Sequence, residues 1–300
     1  VKLIRTVLGD LDPAEFGLCN AHDHLFFRSA LLPGQELDDR AAAAAELAAF
    51  RAAGGRAVVQ WTPHGLGRHA GELPGLARES GVHLVAATGL HRAAHYERLP
   101  AMETLAELFT AELTEGITDG VRAGLIKVAG AFHRLDAHAT ATLHAAAAAH
   151  HATGAPIAVH HEHGSAAAEV LTLLCTELGV PASSVILGHL NRAPDAGLVR
   201  ELAAAGAYLA VDGPSRANHA TDWRLPELLA ELVGAGHAHQ LLLGGDTTTA
   251  AARSVSADGP GMPHLLTGLR PRLTRLLGEQ AVELMLRQNP ARAFAVAWRA

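Results

Sequence analysis

Short apolar runs alternate with longer amphipathic stretches along the whole chain. Runs rich in β-branched and aliphatic residues, bounded by glycine, proline or polar turns, predict strands; apolar residues recurring three and four apart predict helices. On this pattern strands are expected at Gly17–Asn20, Arg56–Thr62, His83–Gly89, Gly124–Ala129, Pro156–His160, Val185–His189, Tyr208–Asp212 and Leu241–Gly245. Helices are expected between them, at Leu37–Ala53, Gly71–Glu79, Met102–Gly116, Ala137–Thr153, Ala166–Leu178, Asp195–Ala205 and Pro226–Gly234. Asp38 is placed to cap the first helix and Gly54-Gly55 to stop it. Strands and helices alternating eightfold predict an α/β fold, a (β/α)8 TIM barrel in a single domain. A doubly wound open sheet is the competing arrangement, but the glycine fingerprint such sheets use for dinucleotides is missing. After the last strand, Thr247–Met262 is the longest irregular stretch, where barrel enzymes often keep a substrate loop, and the tail is helical.

Composition narrows the classes of function. Of 300 residues 49% are hydrophobic and 18% charged, enough for a full core. Nowhere do about 18 apolar residues run together as a membrane span requires. The net charge of -6 is spread without a Lys/Arg run, which argues against nucleic acid or a membrane surface as partner. Cys19 and Cys175 are too few for a disulfide framework or a thiolate metal site; with no signal-like N-terminal stretch, they point to the cytoplasm.

In a barrel of this kind the active site lies at the C-terminal ends of the strands. Polar residues ending apolar strands are therefore the ones to collect. The first strand leads to His22-Asp23-His24, whose histidines share a face; the fourth carries Lys127; the fifth and sixth end in His160 and His189; the eighth leads to Asp246. Four imidazoles and a carboxylate are first-row metal ligands. Alternation puts Leu125, Lys127 and Ala129 on one face, and an ammonium buried there beside metal cations is strongly disfavoured. A neutral amine, by contrast, can add carbon dioxide and become an anionic carbamate ligand. The plainer alternative is a lysine reaching a strand-end carboxylate. Most other histidines, among them His69, His138, His144, His150, His151, His237 and His239, sit on expected helices or turns and read as solvated; His161 reads as structural.

Segments in order along the chain resemble the phosphotriesterase-like family of the amidohydrolase superfamily, which includes lactonases. These are Thr6-Val7-Leu8-Gly9, His22-Asp23-His24, Gly65-Leu66-Gly67-Arg68, Ala87-Thr88-Gly89-Leu90, Ala123 to Ala129, Thr153-Gly154-Ala155-Pro156 ahead of His160, Ile186-Leu187-Gly188-His189 and Asn289-Pro290-Ala291-Arg292. The resemblance implies two divalent metal ions. His22, His24 and Asp246 would hold the more buried ion and His160 and His189 the more exposed one, with carboxylated Lys127 and a hydroxide bridging them. Asp246 would accept the proton during attack. Zinc suits the imidazoles, and manganese, cobalt or iron could occupy the same set. A homodimer is the family-based expectation.

The loops depart from the organophosphate-cleaving members. Those have a large aromatic after the third strand, where this chain has His91-Arg92, His95 and Tyr96. They also have a histidine beside the seventh-strand aspartate, where Asp212-Gly213-Pro214-Ser215-Arg216 stands here. The sixth-strand segment Gly188-His189-Leu190-Asn191-Arg192 and the Asp212 segment look more like the lactonase branch. Arg192 or Arg216 could hold an anionic group, with His91, Arg92, Tyr96 and Asp212 as further substrate contacts. Phosphorylated-lactone relatives have an arginine and a tyrosine after the metal aspartate, where Thr247 to Ala252 stand here and Arg253 is the nearest substitute. The expected activity is hydrolysis of a lactone or other carboxylic ester as the small-molecule substrate. The alternatives are a phosphotriesterase or arylesterase and, from another class, a catalytically silent metabolite-binding barrel.

Overall fold

The computed structural model describes residues 1–213 and 223–299. An antiparallel hairpin of β1 (Leu3–Thr6) and β2 (Gly9–Leu11) opens the chain. There follow β3 (Cys19–Asp23), β4 (Ala57–Gln60), β5 (His83–Val85), β6 (Ala87–Thr88), β7 (Leu125–Ala129), β8 (Ile157–His160), β9 (Val185–Gly188), β10 (Tyr208–Asp212) and β11 (Leu241–Gly244). Finally β12 (Ala295–Val296) pairs with β1. The strands β3 to β11 pair in parallel, three in one sheet and six in another. Ala86 interrupts a single strand to give β5 and β6, and its carbonyl accepts from Gly124 N at 2.8 Å. The seam between β11 and β3 closes through the His22 carbonyl, which accepts from both Gly245 N and Asp246 N at 3.0 Å. The result is the expected (β/α)8 barrel.

Alternation along the strands sorts the core into two layers. Ala21, Ala57, Val85, Ala87, Leu125, Ala158, Ile186, Ala210 and Leu242 turn inward, and Ile4, Phe16 and Phe294 plug the N-terminal end. Val58, Leu84, Ile126, Val159, Leu187, Val211 and Leu243 turn outward onto the helices. The lumen is rich in alanine because Trp61 fills it: the indole is fully buried and donates to Ala21 O at 2.9 Å.

Several boundaries shift for local reasons. The first strand starts at Cys19, not Gly17, and runs through Asp23, so His22 lies within it; Gly17 adopts φ +74 in a turn against Arg56. The first helix is Arg40–Ala52, capped by Asp39 instead of Asp38, because the Asp39 carboxylate accepts from Ala41 N and Ala42 N. Leu37 instead bridges to Phe27. The helix expected at Met102–Gly116 begins with a 3-10 turn and settles into Leu105–Thr114; that at Ala166–Leu178 changes from α (Ala167–Leu171) to π (Thr172–Glu177). Among the described residues no helix is long and apolar enough to cross a membrane.

Two buried carboxylates pin loops at the C-terminal face. Glu46 accepts from Ser254 N and Met262 N at 3.0 and 2.8 Å, which ties down the long stretch after β11. Glu112 accepts from Arg68, from Thr88 Oγ1 at 2.6 Å and from His64 Nδ1 at 3.0 Å. Through the His64 carbonyl this cluster holds the Tyr96 hydroxyl (3.0 Å), which in turn accepts from His91 N at 2.8 Å. Burial works to raise the Glu112 carboxyl, but the hydrogen bonds and charge from Arg68 overcome it and hold the group at about 2, below its ordinary value of 4.5.

Two outcomes follow from these contacts. A methyl group at Gly244 would lie 2.6 Å from His22 O and 2.7 Å from His22 Cβ. Gly244→Ala should therefore lower unfolding free energy by about 1–3 kcal/mol in urea titrations; an unshifted midpoint would show that the seam can open without loss. Because the folded pKa of Glu112 lies below its unfolded value, its stabilisation is present above pH 4.5 and fades as pH falls toward 2. Glu112→Gln should be less stable than wild type at neutral pH by on the order of 2–3 kcal/mol. That gap should shrink through the acid range, and a gap independent of pH would refute the linkage.

Candidate metal centre

Strand ends bring the side chains of the site together. His22 comes from β3 and His24 follows it, their ring centroids 5.5 Å apart. Trp61 lies flat beneath His22 at 3.8 Å. His189 and Asp246 follow β9 and β11 with left-handed φ of 64° and 52°, conformations that side chains other than glycine adopt only under constraint. For Asp246 the constraint is the seam: besides the two bonds to His22 O, Asp23 Oδ1 accepts from His24 N at 2.8 Å and from Thr247 N at 2.9 Å.

The hydrogen bonds assign a tautomer to each histidine. Asp212 takes His22 Nδ1–H on Oδ1 at 2.7 Å and His189 Nδ1–H on Oδ2. Thr62 Oγ1 donates to Phe26 O at 2.6 Å, so it accepts from His24 Nδ1–H at 2.8 Å. Glu162 accepts from His160 Nε2–H at 3.1 Å. The remaining ring nitrogens are bare lone pairs. His22 Nε2 and His24 Nε2 then face Asp246 Oδ1 at 3.5 and 3.6 Å, and His160 Nδ1 faces His189 Nε2 at 2.8 Å.

Acceptors aimed at one another need a cation between them. A shared proton is a poor candidate: burial pushes His160 down to about 3 and His24 to about 4, and drives His189 well below its ordinary value. Ligand atoms of His22, His189 and Asp246 lie within 4.8 Å of one another, close enough to hold a metal ion. The donor set of imidazole nitrogens and one carboxylate fits a first-row divalent ion. Lys127 projects from β7 into the same cavity, 2% exposed, and burial lowers its ammonium to about 7 against the pull of Asp246 and Glu162.

A cavity of about 270 Å³ stands over these groups, with Phe27, Leu31 and Leu32 as its apolar lining. His91 and His95 stack at 4.1 Å in its wall, and His91 meets His160 edge-on at 4.6 Å. His91 Nδ1 is buried without a hydrogen-bond partner. A larger cavity, about 580 Å³, borders β12 and the starts of β8, β9 and β10, but its described lining holds no histidine, acid or cysteine.

The structure gathers His22, His24, Lys127, His160, His189 and Asp246 around this cavity, with His91 and Arg92 beside them. Others of the expected substrate contacts fall elsewhere. Asp212 is buried beneath the histidines and does not line the cavity, because both its oxygens are engaged by imidazoles. Tyr96 points its hydroxyl into the backbone of the third loop. Arg192 reaches the cavity but donates to Asp246 Oδ2 at 2.7 Å, and Arg92 is paired with Glu162. Arg253 is buried and donates to Leu25 O. Arg216 lies outside the described residues. Sequence reasoning passed over Glu162 and Thr62; Glu162 stands two residues beyond His160 in the inward register of β8, which is the signal that could have found it, whereas Thr62 follows the outward register of Val58 and carried no such signal.

Several known proteins resemble this chain. The chain is 30% identical over 266 residues to a phosphotriesterase homology protein of Mycobacterium tuberculosis, covering 81% of this chain and 80% of that one. It is 28% identical to an N-acetyltaurine hydrolase of Salmo salar over 96% of this chain and 97% of that one. A solved lactonase structure from Listeria monocytogenes superposes with a TM-score of 0.90 at 24% identity, covering 97% of this chain and 98% of that one, and shows the same fold. The Phosphotriesterase family pattern matches residues 2–294, and the chain belongs to that family.

Proposed function

We propose that this hydrolase is a binuclear metal-dependent enzyme of the cytoplasm that opens a small uncharged lactone or related carboxylic ester. The observation that carries the reading is the pair of opposed lone-pair sets, one at His22, His24 and Asp246 and one at His160 and His189. The first set would hold one ion, the second another, and Lys127 as its carbamate would serve both. Its lowered ammonium pKa leaves a neutral amine available for carbon dioxide near neutral pH. Zinc is our first choice of ion, with manganese, cobalt or iron as substitutes. When bound, such ions acidify water and polarise the bond under attack.

The chain's own residues supply the rest. Asp246 is the proton acceptor in this reading, its carboxylate held in place by Arg192 Nη2 on Oδ2. Phe27, Leu31 and Leu32 suit an aliphatic ring. Each arginine lining the described cavity already faces a carboxylate, which favours a neutral substrate over a phosphorylated one. A second reading is hydrolysis of an N-acyl amide, supported by the N-acetyltaurine hydrolases that align with 96% of the chain. Both bonds present the same carbonyl to the site.

Initial rates of the metal-loaded protein on plain lactones, phosphorylated lactones, aryl esters, N-acyl amides and phosphotriesters should be highest for plain lactones. Leading amide turnover would select the second reading, leading triester turnover would overturn both, and no turnover above an Asp246→Asn blank would point to a binding barrel. Asp246→Asn itself should lose about 10²–10⁴ in kcat. Lys127→Ala should lose bound metal as well as about 10²-fold or more in activity. Two tightly held ions and full turnover in Lys127→Ala would rule out the carbamate.

A further inference from the structure

We propose that Asp212 is a positioning residue that couples the two halves of the metal centre, so that filling one half prepares the other. The inference rests on the binuclear reading above. Asp212 ends β10 and is 1% exposed. Its Oδ1 takes the Nδ1–H of His22, from β3, and its Oδ2 takes the Nδ1–H of His189, from the turn after β9. Those two imidazoles belong to different halves of the centre, and one rigid carboxylate plane orients both.

The plane itself is held. Asn191 brackets the Asp212 backbone in both directions at 3.2 Å, donating to its carbonyl and accepting from its N–H. Trp61 fixes the His22 ring from below, and Arg192 stands 3.8 Å from Asp212 Oδ2. An imidazole without a metal can exchange tautomers and rock about its terminal torsion. With His22 Nε2 engaged by a metal ion, His22 would be confined to its Nδ1–H tautomer and its bond to Oδ1 would tighten, removing what rocking of the carboxylate remains. Oδ2 then demands a proton on His189 Nδ1, and His189 Nε2 is left bare toward His160. His160 and His189 would then offer a second ion ligands already oriented, so less ordering would remain to be done on binding. Asparagine in this place would offer oxygen to one histidine and an NH2 group to the other, forcing the wrong tautomer on one half.

The test is a cobalt(II) titration of metal-free protein, with zero-, one- and two-ion species counted by native mass spectrometry and the ligand field followed by visible absorption. Wild type should pass from zero to two ions with a scarce one-ion form and a Hill coefficient above one. Asp212→Asn should reach two ions at saturation but accumulate the one-ion form, its second ion held about 10–100-fold more weakly. Asn191→Ala keeps the carboxylate but frees its backbone, and should fall between the two; it decides the matter if Asp212→Asn does not fold. A wild type saturating at one ion would overturn the binuclear reading and the coupling with it. Two ions in every variant with an unchanged one-ion population would overturn the coupling alone.

Discussion

The seam between β3 and β11 is the constraint on which the site depends. Closing the barrel there requires the His22 carbonyl to receive two N–H groups, from Gly245 and Asp246. The same few residues carry three side chains of the candidate metal centre, so closure and the geometry of that centre are one problem. Asp23 and Asn20 secure the solution: Asn20 Oδ1 accepts from Gly245 N, its amide donates to Asp23, and Asp23 accepts from Thr247 N. A left-handed Asp246 is tolerable only because this backbone network leaves it no alternative. Gly244 and Gly245 are required for a plainer reason, since a Cβ on either would fall within 2.6 Å of His22 O or 2.3 Å of Asp23 Oδ2.

The electrostatics of the centre follow from where each donor is sent. Each of the four imidazoles His22, His24, His160 and His189 spends its N–H on an acceptor behind or beside it: Asp212 for His22 and His189, Thr62 for His24, Glu162 for His160. The lone pairs are thereby forced inward, at separations that are unfavourable without a cation. The hydrogen bonds that hold these side chains in place are thus also the ones that would orient them for an ion.

Much of this was legible in the sequence, because the barrel's alternation places strand-end residues without knowledge of any contact. The strand expected at Tyr208–Asp212 is the strand observed, and the inward face read from Leu125, Lys127 and Ala129 is the inward face in the structure. Roles were less legible than positions. Asp212 and Tyr96 stand where substrate contacts were expected, yet their polar atoms are turned to His22 and His189 in one case and to the loop backbone in the other. Strand periodicity tells which side of a sheet a residue faces; it does not tell which neighbour, some 190 positions away for Asp212 and His22, will claim its oxygens.

Buried carboxylates explain why the loops over this barrel are specific without being loose. Asp23 holds the turn after β11, Glu46 the stretch through Met262, Glu112 with Arg68 the turns carrying His64 and His91, and Asp212 the histidines themselves. Each is a charged acceptor for donors that would otherwise be orphaned, and charge-assisted bonds of this kind are roughly twice as strong as neutral ones. The residues that could touch substrate, such as Leu31, Leu32 and Thr248, lie outside those anchors. They can differ between relatives without disturbing the centre, whereas a change to an anchor moves a ligand. The geometry of the cavity's reactive groups is therefore set by carboxylates that stand behind them, and its selectivity by lining side chains outside that network.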